Sequence, residues 1–205
     1  MLSRRRVFFL ATHRSFVRRK YDWAALYSCI CDRFREVHTE PRHFILASPE
    51  VVQEEARHPA EVRHKEWLGC WEALLTPREM QSLEGYQRLH DQQVARPVCP
   101  NDIWNLGDNS SAWPNWSDKS GRIPTYRLGD KLFWYASLRR PMTVLEKVAT
   151  MGWPVYAELL VDASVPAVTP SREEARFMLG NSWHLPSATI AVLAALASTE
   201  LSFLA

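Results

Sequence analysis

Thr143 and Glu146 constrain this chain more tightly than any other pair of residues in it. Their spacing is that of a capping box, in which a hydroxyl accepts a first-turn amide and a carboxylate reaches back to the cap amide. Arg139, Arg140, Pro141 and Met142 lead into the pair, and Leu145, Val148 and Ala149 then recur as an apolar stripe. Met151-Gly152-Trp153-Pro154 ends it, because Gly takes the left-handed conformation at no steric cost and Pro cannot continue a helix. The stretch Arg139–Pro154 therefore predicts a short helix whose two ends are both set by local chemistry.

Similar start signals occur elsewhere. Thr76-Pro77-Arg78-Glu79 is a second capping box with Pro at the first helical position, and it predicts a helix running to about Asp91. Ser171-Arg172-Glu173-Glu174 opens another, ending at Leu179-Gly180. From Pro186 to about Ala197 the chain is nearly all Ala, Leu, Val and Ile, shorter than the roughly 20 residues a bilayer crossing needs. That predicts a buried helix and no membrane span.

Trp23–Cys31 and Arg42–Ala47 are rich in apolar and β-forming residues and predict two strands. Residues 49–66 are charged and predict an exposed, partly helical excursion. Ile123–Tyr126 and Lys131–Tyr135 predict short strands joined by a Gly129-Asp130 turn. Between Arg96 and Gly121 the chain loses all periodicity and fills with turn formers and three Trp, predicting a long irregular loop.

A 205-residue chain, 46% hydrophobic with nine Trp, has ample material for a core. Its net charge of +2 excludes an argument for nucleic acid from charge alone. The basic residues are nonetheless uneven: Arg4, Arg5, Arg6, Arg14, Arg18, Arg19 and Lys20 all precede the first acid, Asp22. Three readings stay open for that start: a mitochondrial-type targeting segment, a phosphate-contacting edge, or a solvated basic surface. Val7–Ala11 is too short an apolar core for a secretory signal. Cys29, Cys31, Cys70 and Cys99 supply no second close pair for a zinc set and read as reduced, buried thiols of an intracellular protein.

Leu179-Gly180-Asn181-Ser182, ahead of the apolar helix, suits a tight left-handed turn and a helix start. In chain order with the Arg139–Pro154 stretch, it resembles the C-terminal part of DNA (cytosine-5) methyltransferases. That family has an Arg-x-Leu-Thr-x-x-Glu helix closed by a Gly-Phe-Pro-like turn, then a Gly-Asn-Ser/Ala turn before its last helix. Arg140, Met142, Thr143, Glu146, Gly152, Trp153 and Pro154 match the first, with Trp for Phe; Gly180, Asn181 and Ser182 match the second. Pro124-Thr125 resembles the family's Pro-Thr strand. Phe34–Arg42 resembles its Phe-Gly-Val-Pro-Gln-x-Arg-x-Arg segment, with Arg35, Val37, His38 and Glu40 departing from the pattern and Arg42 keeping the second Arg. The likeness extends over about residues 21–48 and 74–200, and in style it is closest to divergent methyltransferase-like sequences of protists.

The resemblance implies an α/β chain. Residues 1–48 and 139–205 would belong to a partial Rossmann-like methyltransferase domain, and residues 49–138 to an irregular α+β target-recognition insertion. It implies Arg42 as a base-contacting residue and Gly180, Asn181 and Ser182 as one wall of an S-adenosylmethionine pocket. Duplex DNA with a flipped cytosine is the implied partner, and the nucleus or another intracellular compartment the implied location. Arg139 and Arg140 would contact backbone phosphate or brace the domain, or else form a solvated pair flanking the helix start. Thr143 would face DNA, and Trp104, Trp113 and Trp116 would stack on bases or anchor the loop that carries them. Methylation at C5 further requires a Pro-Cys nucleophile, a Glu-Asn-Val acid and a Phe-x-Gly-x-Gly donor turn, and this chain contains none of them. The expectation is a chain without methyl transfer of its own, completed by an N-terminal half or a second polypeptide, or else a non-catalytic DNA-binding or assembly module.

Overall fold

The computed structural model describes residues 17–34, 39–126, 132–156, 167–168, 170–181 and 185–201. They form a mixed helix-and-strand chain whose backbone contacts gather into two units. One lies within Thr39–Ser182, and the other joins Arg4–His38 to Trp183–Ala205.

In the smaller unit, strand β1 (Val17–Arg19) pairs antiparallel with β5 (Thr199–Leu201), Arg18 opposite Glu200. Helix α1 (Trp23–Phe34) packs on helix α6 (Leu185–Ala197), and the Trp23 indole donates to the Ala191 carbonyl at 3.4 Å. The strand expected at Trp23–Cys31 is thus a helix. The Asp22 carboxylate accepts the Ala25 amide at 3.0 Å, which caps the first turn. Trp23, Leu26, Tyr27, Ile30 and Cys31 then recur at helical spacing along the half-buried side. The helix expected at Pro186–Ala197 is present as α6 but is only partly buried: Ala191 and Ala194 are internal, while Val192, Leu193 and Leu196 are exposed. The thiols expected to be buried are not, Cys29 and Cys70 being exposed and Cys31 and Cys99 half-buried.

The larger unit is built around a three-stranded antiparallel sheet in the order β2 (Ile103–Asn105), β3 (Phe133–Tyr135), β4 (Arg140–Pro141). Both faces of it are covered. Ile103, Phe133 and Tyr135 enter a core with Met142, Val148, Ala175 and Leu179. Trp104 and Trp134, paired across the strands, point to a second core with Ala56, Trp71, Leu74 and Tyr86. Helices α2 (Pro49–Val62), α3 (Pro77–Gln93), α4 (Val144–Thr150) and α5 (Arg172–Asn181) complete the unit.

Capping chemistry placed these helices well. Thr76 Oγ1 accepts the Glu79 amide at 3.2 Å while Glu79 accepts the Thr76 amide at 2.7 Å, and Thr143 and Glu146 repeat the exchange at 3.2 and 2.9 Å. Gly152 has φ +79° and its N–H reaches the Ala149 carbonyl, closing α4 as expected.

The strand expected at Arg42–Ala47 is instead a 3-10 turn, Pro41–Phe44. Pro41 donates no hydrogen bond, and the Arg42 amide is taken by the Asn101 side chain at 3.1 Å, so no ladder forms there. No strand is assigned at Ile123–Tyr126, and β3 pairs with β4 and with β2, the latter inside the stretch expected to be loop. The turn expected at Gly129-Asp130 lies outside the described residues. Gly180 and Asn181 form the end of α5 where a left-handed turn was expected, and Ser182 lies outside the described residues. Both sheets are antiparallel, and among the described residues no helix is long and apolar enough to cross a membrane.

Candidate functional site

Glu146, fully buried, gathers chain from three places. Its carboxylate accepts five hydrogen bonds: two from Arg140 at 2.8 Å, one from Thr143 N at 2.9 Å, and one each from Leu46 N and Ala47 N at 3.1 Å. The Arg140 guanidinium also lies 5.1 Å from the Tyr135 ring centroid, and the Tyr135 hydroxyl donates to the Phe44 carbonyl at 3.0 Å. The segment after Arg42 is thereby clamped onto the head of α4, about a hundred residues away. Tyr126, beside Pro124-Thr125, exchanges a 2.9 Å hydrogen bond with Thr150 at the other end of α4.

The expected DNA-facing residues divide accordingly. Arg140 and Thr143 are internal, at 8% and 2% exposure, and their polar atoms are spent on Glu146 and on the cap. Arg139 is exposed, in a left-handed conformation at φ +50°, with its Nε 2.6 Å from Glu72. Arg42 is also exposed but pairs with Glu40 at 2.8 Å, and Asn101 ties that pair down through Glu40 Oε2 and the Arg42 amide. The charge reversal at Glu40 has a direct consequence: the guanidinium has an internal anion.

The irregular stretch 96–122 is ordered by polar side chains that composition gave no means of ranking. Tyr86 of α3 stacks on Trp104 and tilts against Trp116, and its hydroxyl both donates to the Asn115 carbonyl and accepts the Asn115 amide. Burial pushes the Tyr86 phenol up to about 12, so it stays neutral in both roles. Beneath it, His90 Nδ1 meets Asp118 at 2.6 Å and His90 Nε2 meets the Arg96 carbonyl at 2.9 Å, while Trp104 Nε1 donates to both Asp118 oxygens at 3.0 Å. Asp102 takes both Arg96 nitrogens, at 2.7 and 2.6 Å.

His90, Asp102 and Asp118 bring potential ligand atoms within 4.8 Å of one another. Each is already committed to an internal donor or acceptor, so the cluster acts as a brace, and a cation would have to displace Arg96 or the Trp104 N–H. No match to this chain emerges from protein-family models, from curated proteins or from solved structures.

Of the three tryptophans, Trp104 is a core residue at 1% exposure, Trp116 is half-buried and bridged to Trp104, and Trp113 stands 82% exposed at the loop tip. Gly85 of α3 shows how closely the loop is seated: a Cβ there would fall 2.1 Å from Ser110 Oγ and 3.1 Å from Ser110 Cβ. Ala normally stabilises a helix interior relative to Gly by up to about 1 kcal/mol, whereas overpacking costs about 1–3 kcal/mol. Gly85→Ala is therefore expected to lower the denaturant midpoint, with Gly85→Ala/Ser110→Ala recovering much of the loss. A single variant more stable than wild type would refute the tight seating.

The S-adenosylmethionine expectation meets a poor donor set. Gly180 and Asn181 are helical, and no described strand runs into a Gly-rich helix N-terminus of the kind that cradles such a group.

Proposed function

We propose that this chain is a DNA-binding, C-terminal part of a DNA (cytosine-5) methyltransferase-like protein, without methyl transfer of its own. One observation carries the reading: residues in or beside the segments that bear the resemblance, far apart in the chain, pack into a single core. Phe44–Leu46 after Arg42, Ile123 and Tyr126 on either side of Pro124-Thr125, Met142, Val148 and Met151, and Ala175 and Leu179 ahead of Gly180 contribute to it, and Glu146 ties the first of these segments to the third. Convergence of this kind is expected of a unit inherited whole and is not required of scattered chance matches.

The Rossmann-like sheet, the donor site and the nucleophile belong, on this reading, to an N-terminal half or a second polypeptide. The missing Pro-Cys favours the binding-module form of the proposal over a catalytic one. Arg139, the exposed member of the expected pair, is then the cation left to meet a phosphate by exchanging Glu72 for it.

Two measurements test this. The chain should bind duplex DNA with an affinity that falls steeply between low and physiological salt, and Arg139→Gln should reduce the slope of log K on log salt by about one. It should incorporate no label from a methyl donor into cytosine-containing duplex. Salt-independent or absent binding sinks the DNA reading, and clear incorporation sinks the claim of no chemistry.

A further inference from the structure

Trp113 is exposed out of all proportion to its size, on a loop that is otherwise nailed down. Its own amide donates to the Asn109 carbonyl at 3.0 Å, and Asn109 Oδ1 accepts the Ser111 amide at 2.9 Å. On the N-terminal side Ser110 is buried against Gly85 and the Asp108 carbonyl accepts the Ser82 hydroxyl. On the C-terminal side Pro114 restricts the backbone, and Asn115 is held at both its backbone groups by Tyr86 and through its side chain by Asp108. The backbone that carries the indole is thus ordered before any partner binds, which lowers that part of the entropy cost.

The surroundings narrow the partner. The exposed sequence neighbours of Trp113 are Asn109, Ser111, Ala112 and Pro114. The charges are sorted by sign. Asp118 is wholly internal beside His90 and Trp104, and Asp108 is half-buried and accepts from Asn105 and Asn115. The exposed charges of residues 107–122 are Lys119 and Arg122. An exposed aromatic on a braced backbone, in a segment whose exposed charges are cations, suits a base flanked by phosphates.

We propose that Trp113 is the base-contacting element of this chain, stacking on an unpaired or easily unstacked base while Lys119 and Arg122 meet the adjoining backbone. The inference rests on the DNA reading above and makes it specific, assigning the aromatic contact to Trp113 and a scaffold role to Trp104 and Trp116. Because a paired base must first be freed, a site with a weakened pair is preferred over perfect duplex.

Fluorescence anisotropy with a labelled perfect duplex, the same duplex carrying a central mismatch, and the single strand tests it on the full chain. Wild type should favour the mismatched duplex and the single strand. Trp113→Ala should lose about tenfold on those two probes, keep its salt slope and show an unchanged unfolding midpoint, and Trp113→Phe should recover most of the loss. Lys119→Gln/Arg122→Gln should weaken all probes alike and flatten the slope. Salt-dependent binding that is indifferent to Trp113→Ala overturns the role of Trp113 and leaves the DNA reading standing. Wild type that binds no probe at low salt overturns the DNA reading, and the role of Trp113 with it.

Discussion

Replacing Glu146 with Ala is expected to unfold most of the larger unit's order, at a cost on the order of 3–5 kcal/mol, the usual range for removing one partner of a buried ion pair. The carboxylate is fully buried and carries five hydrogen bonds, so its loss leaves the Arg140 guanidinium and the amides of Thr143, Leu46 and Ala47 unsatisfied together. Glu146→Gln separates charge from geometry. The amide keeps an acceptor oxygen but turns two donor hydrogens towards groups that themselves only donate. It is therefore expected to cost nearly as much as Ala, whereas an exposed carboxylate such as Glu61 should tolerate the same change within about 0.5 kcal/mol. Denaturant midpoints for the three variants decide the matter. Glu146→Gln indistinguishable from wild type would mean that the ion pair with Arg140 contributes nothing.

That same residue marks what local chemistry makes legible. The Thr143–Glu146 and Thr76–Glu79 boxes sit on residues close in sequence, and both formed where the spacing placed them. The further duty of Glu146, holding Leu46 and Ala47, depends on a partner about a hundred positions away, and no periodicity encodes it. The expected strand at Trp23–Cys31 is a helix for a different reason. Its aromatic and Cys content favours strand by propensity, yet Asp22 as cap and the recurrence at 23, 26, 27, 30 and 31 favour helix, and spacing outweighs propensity.

The candidate site was legible by residue type and illegible by role. Trp104, Trp113 and Trp116 look alike in an unperiodic stretch, and only the third dimension assigns one to the core, one to a bridge and one to solvent. Arg139 and Arg140 are neighbours whose fates diverge because the left-handed turn at Arg139 sends successive side chains apart, one to solvent and one to Glu146. His90, Asp102 and Asp118 gave no motif at all. The usable signal was that His90 follows Tyr86 by one helical turn, on the face of α3 that is buried.

The His90–Asp118 pair should make this chain less stable as the solution turns alkaline. Burial alone disfavours the imidazolium, but the hydrogen bonds from His90 to Asp118 and to the Arg96 carbonyl, with the charges of Asp118 and Asp102, outweigh it and raise the His90 pKa. Burial also raises Asp118, against the hydrogen bonds from His90 and Trp104. Both shifts have one meaning: the folded pair holds its proton more tightly than the unfolded chain does. Stability from that proton is complete below the unfolded histidine value, about 6.5, and drains away as pH rises through the higher folded value. One proton sets a ceiling of about 1.4 kcal/mol per pH unit on the slope. Asp118→Ala should abolish the slope and, at neutral pH, cost about 3–5 kcal/mol, since His90 and the Trp104 N–H would lose their shared acceptor inside the core. His90→Gln, which retains a donor and an acceptor, should cost less and flatten the slope as well. Denaturant midpoints taken from about pH 6 to 9 compare the three chains directly. A wild-type midpoint that climbs with pH, or a slope that survives in both variants, would place the linked proton elsewhere.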